Sequence, residues 1–418
     1  MSSMHVNEMS VRMRGFSQYT RLSKALEIIF SKVQPLGSEE VSLESGLGRV
    51  LAEDIVSEIN IPPFDRSAVD GYAVRAKDTF GASPQNPVEL RLVGSVEIGI
   101  PPKVFLRKGE AAKIMTGAMM PRGADASVMV ENTKLEGDKL KVFASVTPGK
   151  NVSAMGEDIR AGEVALRRGQ FLRPQEIGLL AAMGKLRIRV FRKPVVGILA
   201  TGSELVRPGE KLEPAKVINA NSHSLAACVQ RWGGVSRILG IAPDDPEIIK
   251  KILKKTRHVD MLLVSGGSSV GEKDLVPDAI ADMGELLFHG VAVRPGSPTG
   301  FGVVQGKPVF ALSGFPVAAL VAFDLLVRPA LLVMQGLAPD HGRCCLRAKL
   351  ARKISSALGR LEVVRVRLKR EGEAVLAEPI AITGSSAFSS MTRADGFVIV
   401  PEDVERLEKG QEVEVVLY

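Results

Sequence analysis

Residues 194–205, PVVGILATGSEL, run as a continuous apolar strand and then break onto Thr201, Gly202, Ser203 and Glu204. A strand with no polar alternation expects cover on both faces, as in a parallel sheet flanked by helices. The stretch downstream repeats the theme. A helix over residues 219–232 is followed by the strand VSRILGI and a helix that either Asp244 or Asp245 could cap. Then come the buried strand DMLLVS, the turn GGSSVGEKD, further strands, and PVFALS leading into the helix FPVAALVAF. Strands alternating with helices of ~10–15 residues predict a doubly wound, mostly parallel α/β sheet over residues 194–336.

The pattern changes on both sides of this domain. Residues 61–149 show short strands with polar turns (VELRLVGSVEI, AAKIMT, ASVMVE, KLKVFAS), the mark of a small β domain. Residues 21–33 place Leu22, Ala25, Leu26, Ile29 and Phe30 on one helical face. A short strand near residues 40–42, a helix over 46–52 and the helical RPQEIGLLAAMGK are expected around the β domain. Residues 21–60 and 150–193 therefore read as one discontinuous, elongated element into which the β domain is inserted. Residues 337–418 carry alternating strands and predict a small β barrel or sandwich, while residues 1–20 lack periodicity and are expected to be mobile. The fold class is a multidomain α/β chain.

Composition narrows the chemistry. At 418 residues the chain exceeds what one core supports, and 45% apolar content excludes disorder. A net charge of +8, dispersed and accompanied by one Trp, favours an anionic ligand without indicating nucleic acid. Three cysteines, two of them adjacent, do not make a disulfide framework and fit a reducing, cytoplasmic setting. The five histidines lack metal-ligand spacing. The apolar stretch 316–334 holds Asp324, Arg328 and Pro329 and reads as a buried helix, with no membrane span expected. No GxSxG, P-loop or Cys–His pair supports covalent catalysis or Walker-type hydrolysis.

Ligands of open α/β sheets bind beyond the carboxyl ends of strands. Three such ends are small and polar: Thr201-Gly202-Ser203-Glu204, Ser265-Gly266-Gly267-Ser268 with the turn continuing to Asp274, and Ser313-Gly314-Phe315-Pro316. Glycine amides and hydroxyls beside helix N-termini suit phosphate oxygens. Glu204, Asp274 and Asp244 lie on or next to these turns, and carboxylates placed there suit a bridging divalent cation. Asp244 reads equally well as a helix cap. The segment PPFDRSAVDGYA, residues 62–73, stiffened by two prolines and rich in Asp and Ser, is the most unusual in the chain.

Taken together, PPFDRSAVDGYA, KIMTGA, GEDI at 156–159, ATGSEL, SGGSSVGEKD, VAVRPGSP and FSSMTRADGFVIVP resemble the molybdopterin molybdenumtransferase family, the MoeA proteins and the E domain of gephyrin. The resemblance runs from about residue 21 to the C-terminus. It implies four domains and a homodimer whose active site joins the α/β domain of one subunit to the Asp65-bearing domain of the other. It also implies insertion of molybdate into adenylylated molybdopterin with Mg²⁺-assisted release of AMP. The molybdopterin adenylyltransferase and recipient molybdoenzymes would be its partners. Asp65, Thr116, Asp158, Glu204, Asp244 and Asp274 stand at the family's functional positions, with Asp274, Glu204 and Asp244 expected to hold Mg²⁺. Gly202, Ser203, Ser265, Gly266, Gly267, Ser268, Arg294, Ser297, Ser313, Gly314, Pro316, Arg360 and Ser389 would bind substrate.

The chain departs from the family pattern in places. KPGKP reads Arg294-Pro295-Gly296-Ser297-Pro298, PGNP reads Ser313-Gly314-Phe315-Pro316, and Ser153 replaces an Arg before GED. Arg keeps the charge of Lys but not its geometry. These changes leave room for tungstate as the oxyanion. A non-catalytic scaffold and a nucleotide pyrophosphate hydrolase of the competence-damage type are the competing readings.

Overall fold

The computed structural model describes residues 19–266, 275–380 and 384–418. These residues form two compact bodies, one of residues 40–47 and 51–189, the other of the described residues within 19–39, 48–50 and 190–418.

The first body is built on a six-stranded sheet. Its order is Ala126–Met129, Gly71–Val74, Glu110–Ile114, Val88–Val96, Lys139–Val142 and Thr133–Glu136. The pleat sends alternate residues to opposite faces. Tyr72 and Val74 join one apolar cluster with Leu90, Ala111 and Val128, while Ala73, Ala112 and Ile114 join another with Val96 and Leu106. Gly71 has no room for a side chain, since a β carbon there would lie 1.9 Å from the Val128 carbonyl oxygen. That explains the glycine within DGYA.

Below this sheet in the sequence, the expected helix over 46–52 is not formed. The chain makes a 3-10 turn at Leu43–Gly46 and continues extended through Val50 and Leu51. Gly46 is pressed against Ile188 and Gly48 adopts φ +72°, so glycine serves packing and turning here and a regular helix cannot continue. The helix foreseen in RPQEIGLLAAMGK is present as Pro174–Ala182, opened by a reciprocal cap between Arg173 and Glu176.

The second body holds the α/β sheet, in the order Val235–Ala242, Val195–Thr201, Met261–Ser265, Lys307–Leu312, Gly300–Val304 and Gly284–His289. The first four strands are parallel and Gly300–Val304 runs antiparallel to both its neighbours, so the sheet is mixed. Both faces are covered. Val196, Ile198, Met261 and Leu263 pack with Leu225 and Val229 of the helix Asn221–Arg231 and with Val317 and Val321. Leu199, Leu262 and Val264 pack on the opposite side with Ile249, Leu253, Val276 and Ile280. This alternation is what doubly wound architecture requires.

The helical run Pro316–Met334 is long and apolar enough to cross a membrane, yet 83% of it is buried inside this body. Its polar residues are engaged: Arg328, only 1% exposed, pairs with Asp324 at 3.3 Å and its guanidinium stands 4.7 Å from the Trp232 ring. The amphipathic helix Leu22–Lys32 buries Ala25 and Ile29 in the same core. The expected mobility of residues 1–20 falls outside the described residues except at Tyr19 and Thr20, and Thr20 exchanges backbone hydrogen bonds with Gly290 and Ala292. Residues beyond 344 form a closed five-stranded barrel of Cys345–Leu350, Leu361–Glu371, Ala374–Pro379, Gly396–Val400 and Glu412–Leu417.

Candidate functional site

From the strand Val195–Thr201 the chain moves to one edge at Val235–Ala242 and returns on the other side at Met261–Ser265. The strand order therefore reverses between Thr201 and Ser265, and ligands of such sheets bind beyond the carboxyl ends at this point. Gly266 lies where this reversal is tightest. Its amide donates to the Leu312 carbonyl at 3.0 Å, its φ is +109°, and a β carbon would fall 2.1 Å from the Thr201 carbonyl oxygen. Gly202 donates to the Ala242 carbonyl at 3.2 Å.

One side chain draws these turns together. Asn221, at the start of the helix Asn221–Arg231 and 8% exposed, donates its amide to Ser265 Oγ at 2.8 Å and to the Gly314 carbonyl at 2.9 Å. Ser265 Oγ in turn donates to the Ser313 carbonyl at 3.2 Å, and Phe315 N–H donates to Ser313 Oγ at 3.2 Å. Ser265, Gly266, Ser313 and Gly314 thus form one hydrogen-bonded cluster, with Pro316 at the first position of the following helix. Asn221 itself escaped the sequence reading. An Asn opening a helix normally reads as a cap, and only the sheet order shows that its amide crosses to two other strand ends. The buried Thr201 hydroxyl has no hydrogen-bond partner among the described residues.

The acids separate into two roles. Asp245 caps the helix Pro246–Lys255, accepting from the amides of Glu247 and Ile248 at 2.8 and 3.2 Å. Asp244 is thereby left to face Ser203, accepting from its amide at 2.9 Å while Asp244 N–H donates to Ser203 Oγ at 3.4 Å. The Glu204 carboxylate folds back over Gly202, where an added β carbon would meet either oxygen at 2.6 Å. Lys216 Nζ donates to the Ser203 carbonyl at 2.7 Å. Gly267, Ser268 and Asp274 lie outside the described residues. Among the described residues, no three His, Cys, Asp or Glu side chains gather as a metal-binding group.

The remaining expected substrate contacts are placed as follows. Arg294 pairs in register with Glu362 of the barrel. Ser297, which stands where the family pattern has Lys, donates to the Val293 carbonyl at 2.6 Å and so braces its own loop. The Arg360 guanidinium stands 5.4 Å from the Tyr19 ring. Ser389 opens the short helix Ser389–Thr392, and the adjoining loop reaches the α/β domain through a hydrogen bond from Val317 N–H to the Ser385 carbonyl at 3.1 Å. The Phe315 side chain is 56% exposed beside the Ser313–Gly314 turn.

Asp65, Thr116 and Asp158 belong to the other body, on loops that interlock. Asp65 accepts from Met155 N–H at 2.7 Å, and its carbonyl accepts from Met120 N–H at 2.8 Å. Asp158 donates through its amide to the Ile61 carbonyl at 3.1 Å. Thr116 gives both its N–H (2.8 Å) and its hydroxyl (2.9 Å) to Asp70, whose carboxyl is held below its ordinary range by these two bonds, the amide first. Asp70 was not singled out from the sequence as a site residue; its signal is its place five residues after Asp65 in the Asp- and Ser-rich segment PPFDRSAVDGYA. Glu157, between the two loops, accepts from the Ser153 hydroxyl and from Ala154 N–H, and both lower its pKa, the hydroxyl first.

Comparison with known proteins matches residues 20–184 to the MoeA N-terminal region (domain I and II) and residues 347–418 to the MoeA C-terminal region (domain IV). Residues 197–333 match a family described as "Probable molybdopterin binding domain". A protein of Methanocaldococcus jannaschii named for molybdopterin biosynthesis is 39% identical, covering 95% of this chain and 97% of the relative. The molybdopterin molybdenumtransferase of Bacillus subtilis is 37% identical, covering 91% of this chain and 90% of the relative. A crystal structure of a molybdopterin biosynthesis MoeA protein from Pyrococcus horikoshii superposes with a TM-score of 0.85 at 38% identity, covering 96% of this chain and 100% of that one.

Proposed function

The chain belongs to the MoeA family of molybdopterin molybdenumtransferases, enzymes of molybdenum cofactor biosynthesis, and from that membership we propose that it takes adenylylated molybdopterin and molybdate and releases AMP. The observation that carries this reading is the cluster that Asn221 ties together at the switch of the α/β sheet. It fixes the Ser265–Gly266 and Ser313–Gly314 turns at the strand ends beyond which an anionic substrate would lie. Delivering an oxyanion while a phosphoanhydride breaks calls for charge neutralisation and positioning, and for no protein nucleophile.

Glu204 and Asp244 offer hard oxygen donors on the turns that end two neighbouring strands, and Mg²⁺ favours one or two carboxylates together with substrate phosphates. The residues present fit such an ion, with Asp274 as the further donor in this reading. When bound, Mg²⁺ would offset the charge of the phosphates. Asp244 uses one oxygen to hold Ser203 N–H, which leaves the other to face outward. In this reading Asp65, Thr116 and Asp158 arrange the oxyanion, and Asp70 holds Thr116 in place. Arg294, Arg360 and Ser389 contribute from the barrel side of the α/β domain. The proposal includes a homodimer, a cytoplasmic setting, a molybdopterin adenylyltransferase as supplier and molybdoenzymes as recipients.

The test is incubation of the purified protein with adenylylated molybdopterin, Mg²⁺ and either molybdate or tungstate, following AMP. Asp244→Asn is the informative variant, because its amide oxygen can still accept from Ser203 N–H while the charge is gone. AMP release should fall about tenfold or more in the variant. No AMP release by the unaltered protein with either oxyanion refutes the reading.

A further inference from the structure

The body carrying the six-stranded antiparallel-rich sheet holds a cleft of about 440 Å³ lined by Arg75, Lys77, Arg107, Lys108, Phe105 and Asp125. None of these residues belongs to the loops that carry Asp65, Thr116 and Asp158. Four cations face one carboxylate across three separate chain segments, an excess of three positive charges. That convergence needs an explanation, because like charges gathered on one concavity repel.

The nearby acids supply only part of it, since each is also tied to a backbone amide. Asp125 accepts from Ala76 N–H at 2.6 Å and so fixes the Arg75–Lys77 segment. Asp78 accepts from Gly109 N–H at 2.8 Å and reaches Arg75 only at 3.9 Å. Glu110 accepts from Arg107 N–H at 2.9 Å and from Arg91 at 2.6 Å, and these bonds lower its pKa, the Arg107 amide first. The acids therefore hold the frame, while Lys77, Arg107 and Lys108 are exposed and make no ion pair among the described residues. The floor is closely packed: Leu106 is 1% exposed, and a β carbon at Gly123 would lie 2.2 Å from the Leu106 carbonyl oxygen. Phe105, 60% exposed, presents an aromatic face at the rim.

We propose that this cleft binds a nucleoside diphosphate, the phosphates among Arg75, Lys77, Arg107 and Lys108 and the base against Phe105. Its volume falls within the range of small-molecule clefts, roughly 300–1,000 Å³. Exposed Lys77, Arg107 and Lys108 favour a polyanion such as a diphosphate, which carries a charge of about −3 at neutral pH. Arginine suits phosphate through bidentate hydrogen bonds, and aromatic rings accept bases through stacking. The site does not depend on the reaction proposed above.

The test uses the full chain at low ionic strength, titrated calorimetrically with ADP, pyrophosphate, inorganic phosphate and an acidic peptide. ADP should bind saturably and more tightly than pyrophosphate. Lys77→Ser with Arg107→Ser should weaken ADP about tenfold or more, as expected when charge-assisted hydrogen bonds are lost. Both side chains are exposed, so the variant should melt like the parent protein. Phe105→Ala should weaken ADP and leave pyrophosphate unchanged. A photoreactive azido-ADP should label peptides containing residues 75–77 or 105–108. Absence of saturable ADP binding, an unchanged affinity in the double variant, or labelling confined to residues 201–204 and 313–316 overturns the site. Pyrophosphate binding as tightly as ADP overturns the nucleoside assignment. Saturation by the acidic peptide alone overturns it in favour of a protein partner.

Discussion

Replacing Asn221 probes the geometry on which the strand-end site depends. Asn221→Ala removes donors at 2.8 Å to Ser265 Oγ and at 2.9 Å to the Gly314 carbonyl. Ser265 keeps its own bond to the Ser313 carbonyl at 3.2 Å, so the principal orphan is the Gly314 oxygen. Two buried hydrogen bonds and one desolvated acceptor amount to about 2–4 kcal/mol, less about 0.5 kcal/mol regained because Ala is the better helix former. Trp232, the only tryptophan of the chain, follows the same helix at its C-terminal end. Its fluorescence under urea therefore reports on the α/β domain. With a slope of about 2–3 kcal/mol per molar urea, the midpoint should fall by about 1 M. Asn221→Asp offers the sharper control. It preserves shape yet sets a carboxylate against a carbonyl oxygen, so it should destabilise more than Ala. A midpoint shift below about 0.2 M in both variants, or Asp milder than Ala, would refute the role assigned to Asn221.

Further outcomes follow from single contacts. Gly266→Ala forces a β carbon within 2.1 Å of the Thr201 carbonyl at φ +109°, so it should cost several kcal/mol, about 3 or more, in urea unfolding followed by Trp232. Asp324→Asn leaves the Arg328 guanidinium, 1% exposed, without its ion-pair partner and should cost about 3 kcal/mol by the same measurement. Asp70 has a carboxyl held below its ordinary 3.8 by the Thr116 amide and hydroxyl, so the stability it supplies is present above that value and lost as pH falls through the lowered one. Thr116→Ala should move the Asp70 carboxyl titration, read by NMR, upward toward 3.8. Burial pushes the Cys228 thiol up to about 11, so at neutral pH Cys344 should react with a thiol reagent in the native state and Cys228 only after unfolding.

Local pattern was enough to reveal much of this protein. Apolar runs of strand length separated by helix-length segments identify the α/β domain, because periodicity and turn residues are properties of neighbours in sequence. The small, polar strand ends at Thr201, Ser265 and Ser313 stood out for the same reason, as did PPFDRSAVDGYA. The helix expected over 46–52 failed because Gly46 and Gly48 answer to packing and backbone φ, not to helical period.

Tertiary structure decided the rest, and in each case through distance along the chain. Asp244 and Asp245 look alike as helix caps; only the meeting of Ser203 with Asp244, across 41 residues, separates one from the other. Asn221 reads as a cap until the strand order brings Ser265 and Gly314 to it, 44 and 93 residues away. Around the basic cleft the fold ties Asp125, Asp78 and Glu110 to the amides of Ala76, Gly109 and Arg107, contacts that only the tertiary structure makes. Sequence by itself determined most of the strands and helices of the α/β domain and which residue types stand at their ends. The fold decided which of those ends meet, because hydrogen bonds and burial act between groups that are adjacent in space and only the sheet order makes them so.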